Sequence, residues 1–385
     1  MDLDFSEEQE VLRAMVRSLC EEACPLEVVR EMEDDPRGWP EPLWKKIGEL
    51  GLLGLRIPEA YGGAGQGLLD TVVVYEEFGR ALAPVPAFHS GIVSAALLSA
   101  LGDDAQREAW LPRIASGDAI LTPAWLEPDG GFGPRGVQLV AERSGGAWKL
   151  RGAKRHVHWA RSAARLLVLA RTGTADTDLS LFLVDPLAPG VQLVQCKSLA
   201  GDTQYDVAFE DATAEPLGAA GAGWGAWDDA MHEAVIVLAA TAIGGCERAH
   251  EITTQYAKDR KQFGKPLGAF QAISHYLADA LTRIDGGRVL VYEAAWNADR
   301  GRDIGRLAPM AKLFACDTFR DTTAMCQQVW GGVGFTVEYD IQLFFRRAKQ
   351  LQITWWDGAT LEERIASHVL DRGRAAAARV PSRTS

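Results

Sequence analysis

Residues Tyr256–Asp279 read YAKDRKQFGKPLGAFQAISHYLAD. A helical pattern runs into Arg260 and Lys261, breaks at Phe263-Gly264 and restarts with Gln271, so the stretch is a basic, glycine-containing turn between two long helices. Arg260, Lys261 and Lys265 flank an aromatic ring there. Such a turn can hold a phosphate through Arg and a flat ring through Phe, although a solvated basic turn has the same composition. Working outward, helical periodicity covers residues 225–259, 267–299 and 306–329, with a last helix near 360–378. Long amphipathic helices with short connections predict an antiparallel bundle.

Upstream the texture changes. Between about residues 116 and 220 the runs VQLVAE, WKLRG, ARLLVLART, LSLFLVD, VQLVQC and YDVAFED alternate with Gly, Pro and Asp, as strands of a small β-sandwich or barrel do. Before them the chain reads as helical. Ser6-x-x-Gln9 has the form of a capping box, and Val11, Leu12, Met15, Val16 and Leu19 follow at helical spacing. The glycine-rich loop Gly62–Gly67 matches neither phosphate-loop spacing and reads as a turn. The fold class is α+β, mostly α: a helical N-terminal domain over 1–115, a middle β-domain over 116–220 and a helical bundle over 221–385. The tail AAAARVPSRTS is expected to be disordered.

Composition narrows the function. A formal charge of −12, from 40 Lys+Arg against 52 Asp+Glu, excludes a general nucleic-acid or anionic-membrane binder, since both need a basic face. No apolar run reaches the roughly 20 residues of a membrane span, and Met1-Asp2-Leu3-Asp4 lacks the pattern of a secretory signal. The expected location is the cytoplasm, and the six scattered cysteines are expected to be reduced, structural thiols.

Three further stretches carry possible chemistry. In QQVWGGVGF the glycines Gly331, Gly332 and Gly334 permit close backbone approach after a helix, or simply terminate it. In ITWWDGAT a lone carboxylate, Asp357, sits beside two indoles, which disfavours its charged form and suits a general base; it equally suits a cap before the helix TLEERIASHVL. His156-Val157-His158 invites a metal reading, because alternate residues of a strand point to the same face, but no third ligand accompanies it, so no metal is expected.

Taken in order and spacing, Arg260-x-x-Phe263-Gly264, Phe270-Gln271 and Gln328-x-x-Gly331-Gly332-x-Gly334-Phe335 resemble the flavin-binding signatures of the acyl-CoA dehydrogenase family. GELGLLGLRIPEAYGG, EEFGRALAP and LRGAKRHVHWARSAARLLVLAR resemble that family's first two domains, so the likeness covers nearly the whole chain. It implies a helical domain, a β-domain and a C-terminal four-helix bundle, assembled as a dimer or a homo- or hetero-tetramer. It further implies FAD, an acyl-CoA substrate and electron-transfer flavoprotein as acceptor. By resemblance Arg260 faces the FAD pyrophosphate of a neighbouring subunit, Phe263 packs on that cofactor, and Gln271, Gln328 and the backbone at Gly331-Gly332 complete the contact. The reaction implied is α,β-desaturation of the thioester, with a carboxylate as base.

The chain departs from that pattern in two places. Leu126-Glu127-Pro128-Asp129-Gly130-Gly131-Phe132-Gly133 lacks the family's hydroxyl residues, and His156-Val157-His158 stands where Trp-Ile-Thr or Trp-Ile-Ser is expected, which makes His158 a polar contact to the flavin ring. In RRAKQLQITWWDGAT an ungapped alignment puts Trp355 at the position of the family's Glu, whereas a two-residue insertion puts Asp357 there. The family's other location for the base falls on Ala234, with Glu233 one residue away and about 100° around the helix. Two functions remain: a competent dehydrogenase with Asp357 as base, for which bulky or steroid-derived acyl groups are a candidate substrate, or a non-catalytic subunit completing the FAD site of a catalytic partner. Related flavin chemistry, as in an oxidase or monooxygenase, is a third.

Overall fold

Ser6 and Gln9 close a reciprocal cap, Ser6 N donating to Gln9 Oε1 at 3.1 Å and Gln9 N to Ser6 Oγ at 3.2 Å, and α1 (Glu7–Ala23) starts there. The structure is a computed structural model that describes residues 5–128 and 130–377. Of the tail expected to be disordered, 378–385 lie outside the described residues, as do Met1–Asp4 and Asp129.

After α1 come α2 (Leu26–Asp34), α3 (Glu41–Glu49) and α4 (Leu68–Arg80). The π-helical segment Phe88–Ser94 then runs into α5 (Ala95–Leu101) and α6 (Asp104–Ser116). A second capping box, Asp103 with Gln106, starts α6, and left-handed Gly117 ends it. The loop Gly62–Gly67 is a turn closed on itself: the amides of Gly63, Ala64, Gly65 and Gln66 donate to the carbonyls of Pro58, Gly54, Ile57 and Leu55, so none is left to bind a phosphate.

The strands are β1 (Leu121–Ala124), β2 (Val140–Ser144), β3 (Ala147–His158), β4 (Arg165–Arg171), β5 (Leu179–Val184), β6 (Val191–Cys196) and β7 (Gln204–Leu217). Pairing runs β4-β2-β3-β7-β5 and returns to β4 through a six-residue antiparallel register, closing a barrel, with β1 added on β4 and β6 on β7. Side chains of β4 and β5 are buried along almost their full lengths, which explains their continuous apolar runs. Leu150, Val168, Phe182, Val207 and Phe209 fill the interior.

The long helices are α7 (Gly223–Asp259), α8 (Gln271–Asp299), α9 (Leu307–Trp330), α10 (Ile341–Ile353) and α11 (Gly358–Ala377), with a short hairpin of β8 (Lys261–Gln262) and β9 (Lys265–Pro266) between α7 and α8. Helices α8, α10 and α11 each pack on α9. α7 qualifies the expectation that no span is apolar enough for a membrane: it is long and apolar enough, and 72% of its most apolar 18-residue window is buried inside the protein, as for a core helix.

Two compact units are formed. One joins the residues up to Arg13, Tyr75–Arg80 and the chain from Val235 onward; the other comprises Ala14–Val74 and Ala81–Ala234. The first unit is tied by a buried carboxylate. Glu76, 4% exposed, accepts from Arg288 at 2.9 Å and from the Tyr292 hydroxyl. Helices α4 and α7 approach closely at glycines: a Cβ on Gly244 would stand 1.8 Å from the Glu76 carbonyl oxygen. All six cysteines are free, five of them buried.

Candidate functional site

The basic turn of the first unit is a hairpin whose tip, Phe263-Gly264, has both φ angles positive (52° and 78°). That geometry holds the Phe263 ring outward, 86% exposed. Arg260, at the end of α7, is exposed and its guanidinium bonds to no described residue. Ala257, Leu277 and Val329 pack together from α7, α8 and α9. This brings Gln271 at the start of α8, and Gln328 with Gly331-Gly332 at the end of α9, to the same end of the bundle, all exposed. Gly331 adopts φ 66° and ψ −141°, a conformation essentially reserved for glycine. A Cβ at Gly331 or Gly332 would meet nothing within 4 Å, so the backbone there is open. Tyr256 stacks on Trp330 at 4.1 Å and 10°, bracing that turn. An uncommitted guanidinium, a presented aromatic ring and open glycine backbone fit a flat anionic cofactor such as FAD.

The other end of α9 carries the ITWWDGAT loop. Trp355 and Trp356 both have positive φ (53° and 72°), a strain of about 1–3 kcal/mol each for non-glycine residues. Burial of both indoles, with the Arg364 guanidinium 3.6 Å over the Trp356 ring, offsets it. Lys312, fully buried, clamps the loop by donating to the carbonyls of Leu351 and Trp356, each at 2.9 Å. Burial lowers the Lys312 pKa, while Cys316, Asp357 and Asp317 act to raise it. Asp357 caps α11, its Oδ1 accepting from Thr360 N at 2.9 Å. Its Oδ2 bonds to no described residue. Lys312 and Gln328 are 16 residues apart on α9, which separates the two ends by about 24 Å.

In the second unit, Glu127 pins the glycine-rich stretch that follows it. The carboxylate accepts from Gln138 N at 2.8 Å and Leu139 N at 3.0 Å, and from buried Lys154 Nζ at 2.6 Å. Burial pulls the Lys154 pKa down to about 8 against the opposing pull of Glu127. Between these anchors lies an open cavity of about 390 Å³ lined by Pro128, Gly130, Gly131, Gly133, Arg135, Gly136 and Gln138.

His158 is buried and places Nε2 2.7 Å from Asp202 Oδ2. It does not share a face with His156. A bulge between Lys154 and Val157 breaks the register, His156 takes φ 53°, and its side chain is exposed, so the alternation on which a metal reading rests is absent here. Glu233 pairs with Arg56 at 2.7 Å.

The six positions Arg260, Phe263, Gln271, Gln328, Gly331 and Gly332 thus meet at one end of the first unit, and Asp357 lies elsewhere in that unit. His158 lies in the second. Sequence reading missed Lys154, Asp202 and Lys312. The last had a signal: a lysine among Ala308, Ala311, Ala315 and Phe319 on the apolar face of α9.

Comparison with known proteins bears on the whole chain. The family models "Acyl-CoA dehydrogenase, N-terminal domain", "middle domain" and "C-terminal domain" match residues 6–118, 123–212 and 221–369. An acyl-CoA dehydrogenase of Bacillus subtilis is 32% identical over 363 residues, 91% of this chain and 95% of its own. The caffeyl-CoA reductase-Etf complex subunit CarC of Acetobacterium woodii is 28% identical over 361 residues, 91% of this chain and 94% of its own. Among solved structures, a Tcur3481-Tcur3483 steroid ACAD variant superposes with TM-score 0.86 at 32% identity, covering 96% of this chain and 99% of that one.

Proposed function

The chain belongs to the acyl-CoA dehydrogenase family, and on that premise we propose how its residues divide the work of FAD-dependent α,β-dehydrogenation of an acyl-CoA thioester. When bound, FAD supplies the acceptor for the hydride leaving the substrate β-carbon. Arg260 contributes a charge-assisted contact to the cofactor's diphosphate and Phe263 an aromatic face, while Gln271, Gln328 and the open backbone at Gly331-Gly332 complete that contact. Their convergence around an uncommitted Arg260 and an 86% exposed Phe263 is the observation that carries the assignment. His158 serves the flavin ring. The two sets need not meet on one FAD molecule, because the family resemblance has Arg260 reach the cofactor of a neighbouring subunit.

Asp357 is assigned the α-proton. Oδ2 takes it while Oδ1 stays on the Thr360 amide, so the carboxylic acid that forms keeps its place at the start of α11. Glu233 is the poorer base, since protonation would break its ion pair with Arg56. The reading as a non-catalytic partner subunit is not favoured by the family models or by the Bacillus subtilis acyl-CoA dehydrogenase relative.

The likeness to a steroid ACAD supports a bulky, steroid-derived acyl group as the substrate, and the Etf complex of the CarC relative supports electron-transfer flavoprotein as the electron acceptor. The proposed assembly is a tetramer of acyl-CoA dehydrogenase chains in the cytoplasm, where six free thiols stay reduced. The test is flavin content: Arg260→Ala and Phe263→Ala should each fold yet purify with much less FAD than the wild type. Undiminished flavin in both variants would remove those residues from the cofactor site.

A further inference from the structure

His89, His158, Trp159 and Gln204 are buried and the Asp202 side chain is 7% exposed. With His156 they form two directed sets of hydrogen bonds, Trp159 with His89 and His158 with Asp202, Gln204 and His156, that meet where the His89 and His158 rings pack. Trp159 Nε1 lies 3.2 Å from His89 Nδ1. An indole N–H can only donate, so His89 Nδ1 is a bare acceptor and that imidazole is neutral. Burial, reinforced by the neighbouring His158 and opposed by Asp202, also pushes the His89 pKa well below its usual value. The His89 and His158 rings pack at 4.5 Å and 31°.

The donor assignments continue through Gln204. Its amide N donates to Asp202 Oδ2 at 2.7 Å and its Oε1 faces His156 Nδ1 at 2.8 Å. A carboxylate oxygen only accepts, so the His158 nitrogen 2.7 Å from the same Oδ2 carries a proton. The two donors consequently sit 3.3 Å apart, side by side on one acceptor. Burial works to raise the Asp202 pKa, but the hydrogen bond from His158, with help from Ser198 and Gln204, holds it well below the carboxylate range. The site also concentrates unusual backbone. His89 lies in the π-helical segment, and His156 and Trp159 are both left-handed (φ 53° and 60°), features that cluster where a side chain is being aimed. His158 Nδ1 hydrogen-bonds to no described residue, and on the facing ring neither does His89 Nε2.

We propose that Asp202 is a positioning residue that fixes His158 as the Nε2–H tautomer, leaving Nδ1 as a hydrogen-bond acceptor, instead of a donor, that would serve the flavin when it is bound. This rests on the assignment of His158 to the cofactor made above. The Thr or Ser that the family resemblance expects at this position can donate through its hydroxyl; here the polarity is reversed. Reduced flavin gains an N–H where the oxidised ring has a bare nitrogen, so an accepting edge favours the reduced form. His89 faces His158 from the π-helical segment and Asp202 from the chain before β7, and His156 on the same strand is turned to solvent.

The test is nitrogen-15 NMR of the flavin-loaded chain labelled at its seven histidines, with Asp202→Asn to identify His158 by the signals that change. One histidine should show a protonated Nε2 and a bare Nδ1, and become a tautomer mixture in Asp202→Asn. Restoring FAD to flavin-stripped wild type should move its Nδ1 resonance and leave Nε2 in place. The bound flavin's midpoint potential should fall in both Asp202→Asn and His158→Gln, by about 30 mV for each tenfold loss of preference for the reduced form. A proton on Nδ1 in the wild type overturns the proposal, as does a folded, flavin-loaded His158→Gln or Asp202→Asn with an unchanged potential. A wild type that takes up no flavin fails earlier, at the cofactor assignment, and its flavin content alone reveals it.

Discussion

Lys154→Met removes the cation that Glu127 holds beneath the glycine-rich stretch. Lys154 is wholly buried, 2.6 Å from Glu127 Oε1 and 3.1 Å from the Trp125 carbonyl. Removing one partner of a buried ion pair strands the other, at a cost of about 3–5 kcal/mol. The pH dependence separates this from ordinary packing loss. Burial takes the lysine from 10.5 in the unfolded chain to about 8 in the folded one, so between those values the unfolded chain binds more protons and stability rises with pH. From pH 7 to 9.5 this one group should add about 2 kcal/mol, at 1.36 kcal/mol per pH unit above 8. It adds nothing further once pH passes the unfolded value. Urea unfolding of wild type and Lys154→Met at both pH values reads the difference, in which cysteines and tyrosines common to the two chains cancel. The gap should widen by about 2 kcal/mol at the higher pH. A gap that stays constant or narrows refutes the buried, desolvated lysine.

Asp357 combines a cap and a proposed base, and two variants part them. Asp357→Asn keeps a good cap and should change stability by less than about 0.5 kcal/mol, whereas Asp357→Ala should lose about 1 kcal/mol; turnover should fall at least about 100-fold in both. Equal stability of the two variants would remove the cap. At the other end of α9, Gly331→Ala meets no atom within 4 Å yet should cost about 1–3 kcal/mol by calorimetry, because only glycine holds φ 66° and ψ −141° without strain. A neutral Gly331→Ala would show that the turn can rearrange.

What could be read from the residues was what local physics decides. The capping box at Ser6 and Gln9 formed as written, and the apolar runs LSLFLVD and VQLVQC became β5 and β6 within a residue. The long helices were read to within a few residues, although Leu267–Ala269, expected to be helical with α8, forms a separate 3-10 turn. α10 went unread, although Asp340 stands immediately before it; the residue takes the N-cap position without making a side-chain cap hydrogen bond. The failures are long-range. His156 and His158 would share a face on a regular strand, and only pairing with β7 across a bulge turns one to solvent and the other onto Asp202. Lys154 finds Glu127 across 27 residues, and Lys312 finds Trp356 across 44, partners no window on the sequence brings together. Arg260, Phe263, Gln271, Gln328, Gly331 and Gly332 were legible as a set only through the family resemblance. Their convergence needed the packing of Ala257, Leu277 and Val329.

The most direct measurement is the loss of flavin absorbance when an acyl-CoA thioester is added anaerobically to flavin-loaded protein, using a thioester panel that includes bulky, steroid-derived acyl groups. Wild type should bleach with at least one member of the panel, and Asp357→Asn, carrying the same flavin content, should not. Bleaching of Asp357→Asn at the wild-type rate would take the base away from Asp357. A flavin-loaded wild type that no thioester bleaches would contradict the dehydrogenase itself.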